Sequence, residues 1–366
     1  MRPTDLQSKV IAFLRFPLIV LVMFVHCNYT TLGGEWASLP YASGFIDVFS
    51  SRIAPIANSF FFFISGFLFF KTGMFSTDIY LKKLTRRFQL LLVPYLLWNL
   101  LYLLLAIVVG LFSSRVPILG IPIEDMSFGV AMKSLWNMAT IQGATSMAAP
   151  VAVQFWFVRD LMMTMILSPV IYLLVTLFIR VSGRRPLVRY LLFLLILFGM
   201  GFIPELPAGF NPDCWLFFAF GAYFGIKKKE FIVAMLPYAV PMLVTLVLLI
   251  VVEHFMPCEF IYRLENVVAL IFGMSFTTIM VRAGTWYVKD MTLPNASFFI
   301  YAYHGLLLGP IVMLLHNGFL TPHNGYLAIV IYIVPVLLAT FIGLLLYWLM
   351  RTRLPFITYI LMGGRR

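Results

Sequence analysis

The sequence predicts an all-α protein, a polytopic membrane helical bundle of about ten transmembrane helices, and three observations carry that expectation. The chain has 366 residues, of which 62% are hydrophobic and only 11% charged, whereas a soluble domain is about a quarter charged. Its apolar residues gather into windows of about 20, the length that crosses the hydrocarbon core of a bilayer. Its cations are also lopsided. Of the 26 Lys and Arg, all but Arg52, Arg115, Lys133, Arg159 and Arg263 lie on one side of the spans, which is the positive-inside bias. The net charge of +12 is therefore a topology signal, and no nucleic-acid partner is expected.

The apolar windows fall at 10–31, 53–70, 88–112, 153–179, 190–203, 214–226, 231–252, 267–282, 296–316 and 327–350. The windows at 190–203 and 214–226 are short for a span. An even number of crossings, with the cations inside, puts both termini in the cytoplasm. The whole chain, 1–366, reads as one transmembrane domain. The first window is expected to be retained, because it is long for a signal peptide and carries Arg15 and His26. Three cysteines imply no disulfide framework, and Cys214 and Cys258 are expected as unpaired thiols near the outer face.

The first window carries the earliest chemical suggestion. Arg15 and His26 are eleven residues apart, so at about 100° per residue they project from one helix face, about 16 Å apart along its axis. Ionisable groups inside a span usually face a bundle interior or a wet cavity. A snorkelling Arg15 and a structurally hydrogen-bonded His26 are the plainer alternative. In the second window, FFFFISGF holds Ser65 and Gly66, a small-residue packing patch or a substrate contact. The stretch Lys71–Arg87 is expected as an inner loop. Its cations suit anionic lipid, or Arg86 and Arg87 grip phosphates through their planar forks.

The third window places Tyr95, Asn99 and Tyr102 at i, i+4 and i+7, a polar stripe that needs partners in lipid. The outer loop Ser113–Ala152, punctuated by Pro117, Pro122, Gly143 and Pro150, is expected to be a lid or binding element. Within it, Val130–Ile141 is expected as an interfacial helix anchored by Trp136. The fourth window opens with Gln154, Trp156, Arg159 and Asp160 at the outer mouth, the last two as an ion pair or as site residues. The ninth places Ser297, Tyr301 and His304 on one face, with His304 in the inner half of the membrane. His316 and His323 read as outer loop residues without metal-ligand spacing. No metal site is expected, and no Walker A, GxGxxG, HExxH, CxxC or GxSxG motif occurs.

These stretches together resemble the acyltransferase 3 family, integral-membrane enzymes that acylate bacterial surface glycans. The resemblance runs over nearly the whole chain. Its most specific parts are Arg15 with His26, FFFISGFLFF at 61–70 and RRFQLLLVPYLLW at 86–98, joined by FWFVRDL at 155–161 and SFFIYAYHG at 297–305. It implies a multi-pass protein of the bacterial inner membrane, with Arg15 and His26 essential and Arg86 and Arg87 handling the acyl donor. Many members carry an acidic residue directly before an FFVLSGF-like run. Here that neighbourhood reads ANSFFFFISG, with Asp47 well upstream. Some members have an appended esterase-like domain, which is not expected here.

On that resemblance the chain moves an acyl group, acetyl in the first instance, from cytosolic acyl-CoA to a hydroxyl of a surface glycan or lipid-linked saccharide. Acetyl-CoA is the co-substrate and no cofactor is expected to be bound. Tyr95, Asn99, Tyr301 and His304 are placed with Arg86 and Arg87 on the donor path. Trp156, Arg159 and Arg52 are placed with the acceptor. His26 serves as general base, for which a histidine suits neutral pH, or as an acyl relay. The rival is a non-enzymatic transporter or flippase of a lipid-linked saccharide, for which a helix broken at Pro94 would speak. The sequence leaves the oligomeric state open.

Overall fold

A computed structural model describes residues 3–28, 39–112, 126–141, 148–286, 291–315 and 324–364. Among these residues all regular structure is helical. In chain order the helices are α1 (Pro3–Val25), α2 (Pro40–Val48), α3 (Ile56–Phe70), α4 (Thr77–Phe112) and α5 (Phe128–Ser134). There follow α6 (Trp156–Ile166), α7 (Ser168–Ser182), α8 (Pro186–Gly199), α9 (Pro212–Ile226), α10 (Phe231–Met235) and α11 (Ala239–Phe255). The chain then forms α12 (Glu259–Arg282), α13 (Thr292–Leu314), α14 (Gly325–Arg353) and α15 (Pro355–Leu361). A π-helical turn, Phe49–Ile53, carries α2 toward α3, and 3₁₀ turns at Val153–Phe155 and Leu236–Tyr238 lead into α6 and α11.

Among the described residues, six stretches are long and apolar enough to cross a membrane, namely Thr4–Val25, Pro40–Phe70, Thr77–Phe112, Phe231–Phe255, Glu259–Arg282 and Gly325–Arg353. Helices α6 and α7, bent by 68° at their junction, make a seventh when taken as one span. The multi-pass helical class is as expected, but the length criterion supports fewer crossings than ten. The windows 190–203 and 214–226 do form helices, α8 and α9, of 14 and 15 residues. Neither reaches the ~20 residues of an independent span.

Three boundaries differ from the sequence expectation for identifiable reasons. The stretch 71–87 is a loop only as far as Ser76, because α4 starts at Thr77. Lys, Arg, Gln and Leu are all strong helix formers, so the cationic segment extends the span rather than interrupting it. The interfacial helix expected at 130–141 is broken into α5 and a 3₁₀ turn, Met138–Thr140, with Trp136 between them. Finally, α4 runs through Pro94 as one helix. Proline frees the carbonyl four residues back, that of Leu90. Gly363 meets that carbonyl so closely, with φ +63°, that a Cβ there would lie 2.2 Å from it. Trp98 Nε1 donates to Leu361 O at 3.1 Å, so α15 seals the proline site from outside.

The exposed apolar residues separate an outer set of helices from an inner one. Leu104 on α4, Leu173 on α7, Leu191 on α8, Val247 on α11 and Phe341 on α14 are exposed, as lipid-facing residues are. No large hydrophobic residue of α1, α3 or α9 is exposed. Helix α1 packs on α13, α12, α3 and α14. The N-terminal helix is therefore a central one.

Helices α3 and α9 make the closest pairing of the bundle, and glycine is the reason. A Cβ on Gly66 would lie 2.0 Å from Phe218 O, and one on Gly221 would lie 1.9 Å from Phe63 O. Gly225, one turn after Gly221, comes within 2.9 Å of Phe67 O by the same measure. Small residues four apart let two helix backbones touch in lipid, where no hydrophobic effect drives association. The phenylalanines of α3 then interlock with α9 and α10, Phe63 lying edge-on to Phe220, Phe224 and Phe231. The small-residue patch at Gly66 is thus a packing device. Gly221→Leu must push the two backbones apart. It is expected to lower the unfolding temperature of the detergent-solubilised protein by several degrees or to abolish its folding. Size-exclusion thermostability checks this, and a native unfolding temperature in the variant would contradict the close packing.

Candidate active site

Arg15 sits midway along α1 and is the one exposed residue between Lys9 and Asn28. The other residues of that stretch are buried or half-buried. Among the described residues Arg15 makes no hydrogen bond or ion pair. His26 follows the end of α1, where its backbone N–H still reaches Met23 O at 3.1 Å. The turn is tied down by Ser50 Oγ, which donates to Phe24 O at 2.9 Å and lies 2.6 Å from the Tyr332 hydroxyl. Arg15 and His26 do not meet, since the second half of α1 separates them. Asp47 is exposed, and its Oδ1 accepts from Asn28 Nδ2 at 2.9 Å and Ser51 Oγ at 3.2 Å. The carboxylate that looked remote in sequence is thereby bonded to the segment just beyond His26.

His304 lies where the sequence did not put it. Its ring is 5.4 Å from that of His26, centroid to centroid, and fully buried. The two histidines therefore share one depth. Since α1 ends here against the middle of α13, His26 lies beside the centre of a 23-residue helix. The carbonyl of Tyr301, 2.7 Å from His304 Nδ1, holds the ring in place.

Next to this pair is a buried knot of amides and hydroxyls. Gln154 Nε2 donates to the Tyr102 hydroxyl at 2.6 Å and to Ala302 O at 2.8 Å. The Tyr301 hydroxyl donates to Gln154 O at 2.5 Å. Asn99 Oδ1 accepts from Ala152 N at 3.0 Å, and the Tyr95 hydroxyl donates to Leu135 O at 2.6 Å. The stripe of α4 and the face of α13 thus find their partners in the irregular stretch from Leu135 to Phe155. Gly305 permits the approach, because a Cβ there would lie 2.7 Å from both Gln154 Oε1 and the Tyr102 hydroxyl. Tyr95, Asn99 and Tyr301, read from sequence as donor contacts, spend these polar groups on backbone.

Arg159 is equally occupied. It is 2% exposed, and three of its nitrogens are engaged. Nε lies 2.9 Å from Asp160 Oδ1, Nη1 donates to Trp136 O at 2.7 Å and Nη2 to Ala148 O at 3.0 Å. Its guanidinium also stands 5.6 Å over the Trp136 ring. Of the two readings of this pair, the geometry is that of a structural clamp on the outer segment. Trp156, by contrast, is half-buried at the start of α6. Arg52 is paired with Glu253 of α11 and shares no bond with Trp156 or Arg159. Glu253 and the fully buried Glu265 of α12 escaped the sequence reading because they lie just outside the apolar windows, where carboxylates pass for interfacial groups.

At the other end of the bundle Lys83 caps α3, its Nζ donating to Phe69 O at 2.6 Å and Thr72 Oγ1 at 3.0 Å. Arg86 and Arg87, one turn on, have no hydrogen-bond or ion-pair partner among the described residues. They remain free for an anion. Cys214 is buried and Cys258 exposed, and both are free thiols. His316, His323 and the parts of the outer loop at 113–125 and 142–147 lie outside the described residues. Among the described residues no group of His, Cys, Asp and Glu could hold a metal ion.

Comparison with known proteins bears on this arrangement. Residues 10–351 match a family model described as an acyltransferase domain. The "Succinoglycan biosynthesis protein ExoH" of Rhizobium meliloti (strain 1021) is 30% identical over 185 residues, 48% of this chain and 45% of that protein. The chain thus spans under half the length of this relative. No solved structure matches the chain.

The clamp reading of Arg159 has a direct test. Arg159→Met leaves the Asp160 carboxylate buried without its partner, which costs about 3–5 kcal/mol. Removing both charges, as in Arg159→Met with Asp160→Leu, is expected to recover most of that loss. The comparison is made by thermal unfolding in detergent. A single variant of native stability would show that Arg159 is not a clamp.

Proposed function

The chain belongs to the acyltransferase domain family, and on that premise we propose that it is a membrane O-acyltransferase acting on a glycan. The acyl group, proposed as acetyl, comes from cytosolic acyl-CoA and goes to a hydroxyl of a surface polysaccharide or lipid-linked saccharide. The acceptor class is supported by the relative named for succinoglycan biosynthesis. The observation that carries the reaction type is His26 just beyond the end of a sheltered central helix, on which the cation Arg15 is the one exposed residue from Lys9 onward. A polyanionic donor is too polar to cross the bilayer, whereas its acyl group is not. A route through the bundle would let the acyl group pass while the carrier stays inside.

In this reading Arg86 and Arg87 take the phosphates of the donor, as free arginine forks do. Arg15 lines the path between them and His26. The acceptor oxygen attacks the thioester carbonyl carbon while His26 takes the hydroxyl proton. The carbon–sulfur bond then breaks, and the thiolate leaves toward the cytoplasm. The variant in which His26 itself attacks and carries the acyl group uses the same residues. Trp156 meets the acceptor at the outer mouth, and Arg159 shapes that mouth through the segment it clamps. We place the protein in the bacterial inner membrane with ten crossings, counting the short helices α8 and α9, and with both termini cytoplasmic. The transporter reading retains one observation, the 68° bend between α6 and α7. It loses the interruption at Pro94, through which α4 is continuous.

The first test is transfer of labelled acetyl from acetyl-CoA to glycan in membranes carrying the protein, His26→Ala or Arg15→Ala. Loss of the base is expected to slow transfer by about 10²–10⁴-fold. Arg15→Ala is expected to lose less at saturating donor. Undiminished transfer by His26→Ala removes His26 from the mechanism. Absence of transfer by the intact protein with every acyl donor and glycan tried rejects acyl transfer in favour of transport.

A further inference from the structure

His304 is fully buried, and only half of its ring is satisfied. A carbonyl oxygen can only accept, so the 2.7 Å contact with Tyr301 O puts the ring hydrogen on Nδ1. The neutral ring then presents Nε2 as a bare acceptor. That nitrogen is buried and has no hydrogen-bond partner among the described residues. The ring beside it is that of His26, with centroids 5.4 Å apart and planes tilted by 38°. At that centroid separation, a His26 nitrogen turned toward Nε2 would come within about 3 Å of it, which is hydrogen-bond range. The backbone on each side is held, by Phe24 O to Ser50 Oγ and by Ala302 O to Gln154. A rotation of the His26 ring is then all that closes the bond.

We infer that His304 is the positioning residue for His26, its Nε2 accepting the His26 ring N–H and leaving the other His26 nitrogen bare toward the acceptor hydroxyl. This rests on the proposed role of His26 as base. In the transfer step the hydroxyl proton goes to that bare nitrogen, the hydroxyl oxygen bonds to the acyl carbon, and the thiolate leaves. His304 gains and loses no proton. It holds the N–H of the imidazolium that forms, as a carboxylate does in other catalytic pairs, but without a second charge in the bundle.

The test uses the full chain in nanodiscs, with His304→Phe to remove the acceptor and His304→Gln to keep an accepting oxygen. His304→Phe is expected to lower kcat about 100-fold, the cost of a misplaced base, with KM for acyl-CoA unchanged and at least a tenfold recovery in His304→Gln. A His304→Phe protein with native kcat, beside an inactive His26→Ala, overturns the inference and leaves acyl transfer standing. So does a loss confined to KM. A second measurement does not depend on activity. In protein labelled with ¹⁵N-histidine, the His26 signals, identified by their loss in His26→Ala, should report one tautomer, and an averaged one in His304→Phe. Averaged His26 signals in the unmodified protein also overturn the pairing, even where neither variant folds or no acyl donor is accepted.

Discussion

Inside a bilayer every backbone group outside a helix must be satisfied by the protein itself, and the stretch from Leu135 to Phe155 is where this chain meets that constraint. Its described residues are only partly helical, in short 3₁₀ turns, and their amides and carbonyls are bonded by side chains of three long elements. Tyr95 and Asn99 reach it from α4, Tyr301 from α13, and Arg159 from α6. Lipid would leave each of these groups unpaired at a cost of several kcal/mol. The polar residues inside the apolar windows are thus first of all the price of bringing irregular backbone against the bundle. The surroundings of His26 and His304 are built on that frame.

The same constraint explains what was legible in the sequence. Apolar windows made the multi-pass helical class legible, because that follows from one-dimensional composition. They counted more crossings than the six or seven that helix length supports among the described residues. The i, i+4, i+7 spacing of Tyr95, Asn99 and Tyr102 correctly required buried partners, but periodicity does not say which partners. The bonds to Ala152 and Leu135 come from a segment whose own sequence carries only turn signals. Windows also miss helix that is polar, so the start of α4 at Thr77 was hidden behind its cations. His304 was misplaced in depth for a related reason. Its position was counted along α13, whereas its neighbour is set by where α1 stops.

Arg159 shows how a residue of functional appearance can be structural. An arginine beside an aspartate at a membrane mouth suggests recognition of a polar ligand. Its donors, however, are spent on Asp160, Trp136 O and Ala148 O. Arg15, Arg86 and Arg87 are the converse, cations with no hydrogen-bond or ion-pair partner among the described residues. A charge that is costly to keep near lipid and is not used by the fold is available for a ligand. Engaged and unengaged arginines are thus separated by what they bond among the described residues, which position along the chain does not reveal.

Glycine connects the scaffold to the chemistry. Gly66, Gly221 and Gly225 let α3 and α9 touch, which stiffens the side of the bundle against which α1 rests. Gly305 lets α13 press onto Gln154 and Tyr102, with His304 the residue immediately before it. A helix pinned by its backbone at that point can neither slide nor turn without breaking the hydrogen bonds of Gln154 to Ala302 and Tyr102. The depth and rotation of His304 are consequently set by packing rather than by its own single hydrogen bond. His26 lies on a turn after the last residue of α1, and its ring makes no hydrogen bond among the described residues. In the proposed pairing the packed ring of His304 orients that of His26, and the hydrogen that would join them belongs to His26.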